Sequence, residues 1–222
     1  MKLQKYWISF VTISLVCSFS VGCVNNNAVD GSVITTKMME HQKEIKDISY
    51  SRLLTVYIGN QSRTAQSDIW IKMPDKEKMV EMDNLSLKNT VITNGTVMSV
   101  YNPIKNSAIV INHPSADIIP DSMKFQTFVQ DLINNNTVEF QGSDLINNVT
   151  TLKFVPKLQH GPDSYYSILW LDSNTYMPLK VQMYSNGQLV MTVEYINYKI
   201  NSGMSDSEFE YLLPENASIL VK

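Results

Sequence analysis

Cysteine is almost absent from this chain, and its two copies both lie near the N-terminus. Cys17 and Cys23 are the only cysteines in the 222 residues. The rest of the chain can therefore form no disulfide, present no thiolate nucleophile and hold no zinc ion through cysteine. Disulfide-stabilised folds and cysteine-dependent enzymes are excluded.

Histidine is also scarce, and motifs of the common enzyme classes are missing. His41, His113 and His160 are not spaced with one another or with carboxylates in the manner of metal ligands. The sequence contains no G-x-S-x-G elbow, no H-E-x-x-H motif and no phosphate-binding loop. Asp172 is predicted to be a turn residue rather than a general base. We expect no metal, no cofactor and no catalytic residues, and interpret the protein as a binding protein rather than an enzyme.

Runs of basic residues are absent beyond the first few positions, and the formal net charge is -3. Binding to nucleic acid depends on clustered lysine and arginine side chains that neutralise phosphates. Nucleic acid is therefore not an expected partner.

The N-terminal residues have the composition of an export signal. Two lysines precede an apolar run over residues 6–19, which ends in the sequence Ser-Val-Gly-Cys at Cys23. We predict a signal peptide over residues 1–23 with a lipobox-like end, and Cys23 as the lipid anchor. Simple cleavage is one alternative. Retention of residues 6–24 as an uncleaved helix is another, because a bilayer core requires about 20 apolar residues. Lipidation and retention both place the remainder outside the cell, anchored to the outer face of the cell membrane.

The remainder divides into a short tether and one domain. Residues 24–31 are polar and rich in asparagine, a composition that buries too little apolar surface to fold. Residues 32–222 are long enough for a single well-cored domain. Ser32 can cap a first helix that runs to about Asp47, and Asp121 or Ser122 can cap a second helix that ends at about Asn134.

Most of the domain has the period-two alternation of β-strands. Alternation begins at Tyr50 and recurs in short segments as far as Tyr198. Asn94-Gly95 and Asn186-Gly187 are typical of tight hairpin turns between such segments. The pattern predicts about ten strands and two helices in an α+β fold. A large antiparallel sheet of this kind twists and curves, so that helices cover its concave face.

Four segments resemble motifs of a known superfamily and occur in the same order. Residues 169–180, Leu-Trp-Leu-Asp followed by Met-Pro-Leu-Lys, resemble the L-W-I-D-x-x-x-x-x-P-x-K hairpin of the LolA/LolB/RseB lipoprotein-sorting proteins. Residues 69–76 are similar to that superfamily's strand and turn f-K-x-P-x-K, and residues 94–103 to its following hairpin. Residues 209–217 resemble its closing F-x-P-x-G-A element.

The resemblance implies a half-open β-barrel with an apolar cavity that holds a ligand. The expected ligand is a lipid acyl chain or a lipidated protein, bound by a single LolA-like domain of the carrier or chaperone type. The alternative is an RseB-like sensor or regulatory ectodomain that binds an envelope protein partner. Large apolar side chains of the strands and helices are the candidates for the cavity lining, namely Trp70, Met73, Met82, Met98, Tyr101, Phe125, Phe128, Phe140, Tyr166, Trp170 and Met183.

Overall fold

The computed structural model describes residues 31–83, 86–114, 138–157, 165–210 and 213–222. One helix, α1, spans Gly31–Glu44, and a short 3-10 helix spans Asp206–Phe209. The strands are β1 Asp47–Ile58, β2 Gln61–Lys72, β3 Lys76–Asp83, β4 Ser86–Asn94, β5 Val97–Asn102, β6 Ser107–Asn112, β7 Val138–Ile146, β8 Val149–Pro156, β9 Tyr165–Asp172, β10 Pro178–Ser185, β11 Gln188–Ile200 and β12 Ser218–Val221. The predicted second helix lies outside the described residues.

All twelve strands form one open sheet in the order β12-β6-β5-β4-β3-β2-β1-β11-β10-β9-β8-β7. Neighbouring strands are antiparallel except for β12, which pairs in parallel with β6. The predicted large antiparallel sheet is therefore confirmed in its main part, with twelve strands rather than about ten and with a parallel edge strand, β12, in place of the predicted C-terminal extension. The parallel pair joins residues more than 100 positions apart, and local alternation carries no information about such a partner.

The predicted hairpin turns are confirmed. Thr93 of β4 pairs with Met98 of β5 around Asn94-Gly95, and Ser185 of β10 pairs with Gln188 of β11 around Asn186-Gly187. Asn186 and Gly187 both have positive φ, at 53° and 74°. Asparagine and glycine tolerate this left-handed region, which the two-residue turn requires.

The sheet has two distinct faces, which the strand register separates. The inner face is the side against which α1 packs through Ile34 and Met38. Ile48 and Tyr50 of β1 lie on this face with their cross-strand partners Ile71 and Ile69 of β2. Neighbouring residues in each strand point to the opposite side, the outer face.

The C-terminal segment, residues 201–210, returns from the end of β11 across the outer face. Asn201 accepts a hydrogen bond from the backbone N–H of Lys46 (2.7 Å) and donates one to the carbonyl oxygen of Glu44 (3.0 Å). Asp206 then accepts hydrogen bonds from the Nζ atoms of Lys72 (2.6 Å) and Lys76 (2.9 Å). These bonds lower the pKa of Asp206 to about 2. The two ion pairs attach the segment to β2 and to the start of β3.

Candidate ligand-binding cleft

The inner face is solidly filled near α1. Ile34 and Met38 of the helix pack into a cluster with the large buried side chains of the neighbouring strands. Phe154, Leu169 and Val181 of β8, β9 and β10 are at most 1% exposed. Among the described residues, these side chains fill this half of the inner face.

Two buried tyrosines, Tyr50 and Tyr195, and the partly buried Tyr198 belong to the same filled region. Tyr50 and Tyr195 have ring centroids 5.7 Å apart, and Tyr50 and Tyr198 have centroids 5.3 Å apart. The hydroxyl of Tyr198 donates to the carbonyl oxygen of Pro178 (2.7 Å). Burial raises the pKa of all three hydroxyls, so they are uncharged at neutral pH.

Beyond Tyr50, the inner face of β1 and β2 opens into a cleft of ≈ 270 Å³. Leu54 and Val56 line the cleft, and neither is fully buried. The cross-strand partners of these two residues on β11 are Val193 and Met191. Met79, Met183 and Met191 are likewise only partly buried against the core. The apolar floor of the cleft is therefore continuous with the core of the domain. The complete lining is Arg52, Leu54, Val56, Arg63, Thr64, Ala65, Gln66, Ser67, Glu81, Met82, Asp83 and Lys88.

Two arginines border this apolar floor. Arg52 of β1 lies opposite Ser67, and Arg63 of β2 lies opposite Val56, so the register places both on the inner face. One guanidinium nitrogen of Arg52 donates to Ser67 Oγ (3.4 Å) and approaches Met79 Sδ (3.8 Å). Neither arginine forms an ion pair with a carboxylate in the described parts of the chain.

A second groove, of ≈ 460 Å³, lies where β8 begins and β9 ends, beside residues 194–198 of β11. Val149, Leu179 and Ile196 contribute apolar surface to it, and Asp172 and Glu194 contribute carboxylates. Its charge is therefore opposite to that of the arginines on the inner face. Asp172 Oδ1 accepts from the backbone N–H groups of Asn174 (2.7 Å) and Thr175 (3.1 Å), which confirms the prediction of a turn residue.

The predicted cavity residues do not share one face. Those on the inner face are Met98, Phe140 and Met183, whereas those on the outer face are Trp70, Tyr101, Tyr166 and Trp170. Met82 pairs with Gln66 in the outer-face register, but it lies at a β-bulge near the end of β3 and lines the edge of the cleft. Met73 follows the end of β2 and is 40% exposed. Phe125 and Phe128 lie outside the described residues. The expectation that these residues form a single lining is therefore wrong. Residues on both sides of each strand are apolar, so the sequence could not distinguish one face of the sheet from the other.

The two tryptophans of the domain have partners on the outer face. Trp70 packs against Met204 and Phe209 of the C-terminal segment. Trp170 lies between Lys153 and Lys180, with each Nζ atom 5.7 Å from its ring, and its Nε1–H donates to Asp144 (3.2 Å). Both indoles therefore make packing or cation–π contacts within the domain.

Arg52 and Arg63 were not among the predicted site residues. They are the only arginines in the sequence, and Arg52 falls in the same phase of β1 as Tyr50 and Leu54. A charged residue among the apolar residues on one side of β1 is the signal that points to Arg52. The apolar Leu53 in the other phase of β1 obscured it.

Within the described ranges, no group of three or more histidine, aspartate and glutamate side chains is arranged to hold a metal ion. Over the same ranges, no helix has the length and apolar character needed to cross a bilayer.

An open twelve-stranded sheet with α1 against one face and a cleft on that same face defines a protein of the LolA/RseB-like superfamily. Residues 37–213 match the MucB/RseB N-terminal domain, which is well over half of the chain. The chain belongs to this family.

Individual relatives are distant in sequence. An uncharacterised protein of Methanocaldococcus jannaschii is 23% identical over 208 residues, which cover 93% of this chain and 58% of that protein. This chain therefore spans little more than half of that relative. An uncharacterised conserved protein of Thermus thermophilus has a TM-score of 0.56 at 9% identity, over 86% of this chain and 98% of that one. MucB has a TM-score of 0.51 at 10% identity, over 87% of this chain and 66% of that one. These two structures share the fold.

Proposed function

We propose that this protein is an extracytoplasmic lipoprotein that binds an acyl chain, free or attached to a protein, in the inner-face cleft. The observation that carries the proposal is the partly exposed apolar floor beside Leu54 and Val56, in a family whose wider superfamily includes lipid and lipoprotein carriers. Each methylene removed from water contributes about 0.8 kcal/mol, so burial of an alkyl chain can drive binding without any chemical step.

The floor of the cleft is also rigidly supported, as a ligand site requires. Its floor is formed by strands at the centre of the sheet, and the filled region near α1 holds those strands in place. Sites built on rigid strands lose little conformational entropy when a ligand binds. At ≈ 270 Å³ the cleft accommodates part of a lipid chain rather than a whole bilayer lipid.

Binding can be tested by native mass spectrometry and lipid extraction of the full chain purified from its own host. We expect an alkyl-chain ligand in stoichiometric amount. Leu54→Asn should reduce the bound amount because it places an amide on the cleft floor. Leu53→Asn is the matched control, since Leu53 is the adjacent residue on the outer face. Equal loss in the two variants, or no ligand in the parent protein, contradicts the proposal.

Anchoring is proposed to depend on Cys23. The Cys23→Ser variant should lose both incorporation of labelled fatty acid and recovery in the membrane fraction. If the variant stays in the membrane fraction without label, the N-terminal segment is retained as an uncleaved helix instead.

A sensor function is the second candidate, because the matched family is that of MucB and RseB. In this case the same cleft would recognise a lipid or a lipidated protein and pass the signal to an envelope protein partner. Crosslinking in whole cells separates the two functions. A carrier exchanges its ligand without a stable protein partner, whereas a sensor is recovered with one.

A further inference from the structure

Both arginines of the chain lie on the inner face, at the border of the cleft. Every other basic side chain apart from histidine is a lysine. Arg52 and Arg63 occupy adjacent strands, β1 and β2, on either side of the row that contains Leu54 and Ala65. This placement concentrates the only guanidinium groups of the protein beside its partly exposed apolar floor.

Guanidinium groups differ from ammonium groups in what they recognise. The planar guanidinium presents five N–H donors in a fixed fork that fits the two oxygens of a carboxylate or a phosphate. The contacts of Arg52 with Ser67 Oγ and Met79 Sδ engage one of its terminal nitrogens with uncharged partners. Both acceptors are weaker than an oxyanion, which would form shorter, charge-assisted bonds.

Two carboxylates, Glu81 and Asp83, also line the cleft, against the three basic side chains Arg52, Arg63 and Lys88. Glu81 lies in the same cross-strand row as Arg52 and Ser67, but its Oε2 accepts a hydrogen bond from Asn89 Nδ2 (2.8 Å). Asp83 lies at the end of β3 and is exposed. Lys88 adds a third positive charge to the lining. The cleft therefore joins an apolar floor to a border with an excess of positive charge.

We propose that the cleft selects amphiphiles with an anionic head, and that Arg52, assisted by Arg63, binds the carboxylate or phosphate oxygens of that head. The inference rests on the proposed acyl-chain function and specifies the chemical class of its ligand. The alkyl chain lies over Leu54 and Val56, and the head faces the two guanidinium groups. Arg52 is thus a specificity-determining residue rather than a source of most of the affinity.

The test compares three single-chain probes with the same oleoyl chain, namely oleate, 1-oleoyl lysophosphatidate and methyl oleate. Dissociation constants are measured by displacement of an uncharged fluorescent alkyl probe from the full chain. We expect oleate to bind about tenfold to a hundredfold more tightly than methyl oleate, the range for a charge-assisted hydrogen bond. Comparison of oleate with lysophosphatidate distinguishes a carboxylate from a phosphate as the preferred head. Added salt should weaken binding of the two anionic probes and leave methyl oleate unaffected.

Single-residue variants test whether Arg52 causes the preference for oleate over methyl oleate. Arg52→Gln should reduce the ratio between oleate and methyl oleate severalfold, because Arg63 alone remains to bind the anionic head. Arg52→Lys should retain part of the ratio, because it keeps the charge but loses the fork. Lys180→Gln, on the outer face, is the matched control and should retain the full ratio. A thermal melt of each variant verifies that it is folded.

The possible outcomes are distinct. Equal affinities for oleate and methyl oleate in the parent protein overturn the selection of an anionic head and leave the acyl-chain function standing. A ratio that is unchanged in Arg52→Gln overturns the role of Arg52. Failure of all three probes to bind overturns the acyl-chain function and this inference together. The salt dependence of the parent protein needs no variant, so the inference can be refuted even if Arg52→Gln does not fold.

Discussion

Asp47 shows how a single buried carboxylate can join distant parts of the chain. It is 4% exposed, and its two oxygens accept hydrogen bonds from Ser202 N (2.7 Å), Ser202 Oγ (2.9 Å), Gly203 N (3.0 Å) and Met204 N (3.4 Å). Burial opposes ionisation of Asp47, but these bonds outweigh it, so its pKa lies below the usual value. Asp47 thereby ties the start of β1 to the C-terminal segment.

Replacement of Asp47 by alanine should lower the free energy of unfolding by about 2–4 kcal/mol at neutral pH, because three backbone N–H groups lose their acceptor. Since the pKa is lowered in the folded state, the stabilisation is present above the unfolded value of about 4 and is lost as pH falls through the folded value. The difference between parent and variant should thus shrink below about pH 4. Urea unfolding over a pH series measures it. Glu215→Ala, at an exposed carboxylate, serves as the control and should change stability by less than about 0.5 kcal/mol.

Replacement of Gly95 and of Gly187 distinguishes two costs of losing a turn glycine: backbone strain at positive φ and steric overlap of the new Cβ atom. Both have positive φ, 86° and 74°, but a Cβ atom on Gly95 would overlap the side chain of Asp75, whereas a Cβ atom on Gly187 meets nothing within 4 Å. Gly187→Ala should cost about 1–2 kcal/mol, the penalty for alanine in the left-handed region. Gly95→Ala should cost up to about 1 kcal/mol more, because the exposed side chain of Asp75 must rotate away from the new Cβ atom. Chemical denaturation measures both.

The double variant Gly95→Ala with Asp75→Ala provides the check on this explanation. It should recover the excess cost, while Asp75→Ala should bring no recovery to Gly187→Ala. If both glycine variants lose the same stability, the overlap with Asp75 does not contribute.

At the scale of elements, the C-terminal segment covers apolar residues on the outer face of the sheet. Phe209 is 1% exposed and forms a small core with Ile92 and Met204, against which Trp70 packs. This core is separate from the one beneath α1. Trp70 of β2 and Ile92 of β4 are therefore packed against the protein itself.

Phe209→Ala should destabilise the domain by about 3–5 kcal/mol, because it removes a fully buried aromatic ring. The fluorescence of Trp70 should also report greater exposure to solvent. Ile104→Ala is the control, since Ile104 is 77% exposed and its truncation should cost less than about 0.5 kcal/mol. A loss below about 1 kcal/mol for Phe209→Ala would mean that the segment contributes little to the fold.

At the scale of the whole molecule, three tyrosines packed in or against the core make the fold sensitive to alkali. The hydroxyl pKa values of Tyr50, Tyr195 and Tyr198 are raised above the ordinary value of 10.0. Their contribution to stability is therefore fully present below pH 10 and is lost as pH rises toward the folded values. The three hydroxyls should ionise together with unfolding.

Alkaline unfolding, followed by tyrosinate absorbance and circular dichroism, tests this expectation. Tyr198→Phe should reduce the dependence of stability on pH above about pH 10, at a cost of about 1 kcal/mol for the lost bond to Pro178. Tyr165→Phe is the control, because Tyr165 is 79% exposed. Identical alkaline profiles for the parent and Tyr198→Phe would show that another group controls the transition.

Local features of the sequence were sufficient for several predictions. The Asn-Gly turns, the turn at Asp172 and the first helix follow from backbone preferences that act over a few residues. The helix is Gly31–Glu44 rather than Ser32 to about Asp47, because Asp47 is the first residue of β1. β2 begins at Gln61, earlier than the apolar residues from Ile69 indicate, because its first half is exposed and polar.

The sequence by itself determined the strand-rich class, the turns and the superfamily, because these depend on local order and on the succession of motifs. Only the tertiary structure decided which side of each strand faces α1. Apolar residues occupy both phases of the strands, and the faces become distinct when α1 packs on one side and Phe209 on the other. That choice places Trp70 and Trp170 away from the cleft and Arg52 and Arg63 beside it, because a one-residue change of register exchanges the two faces of a strand.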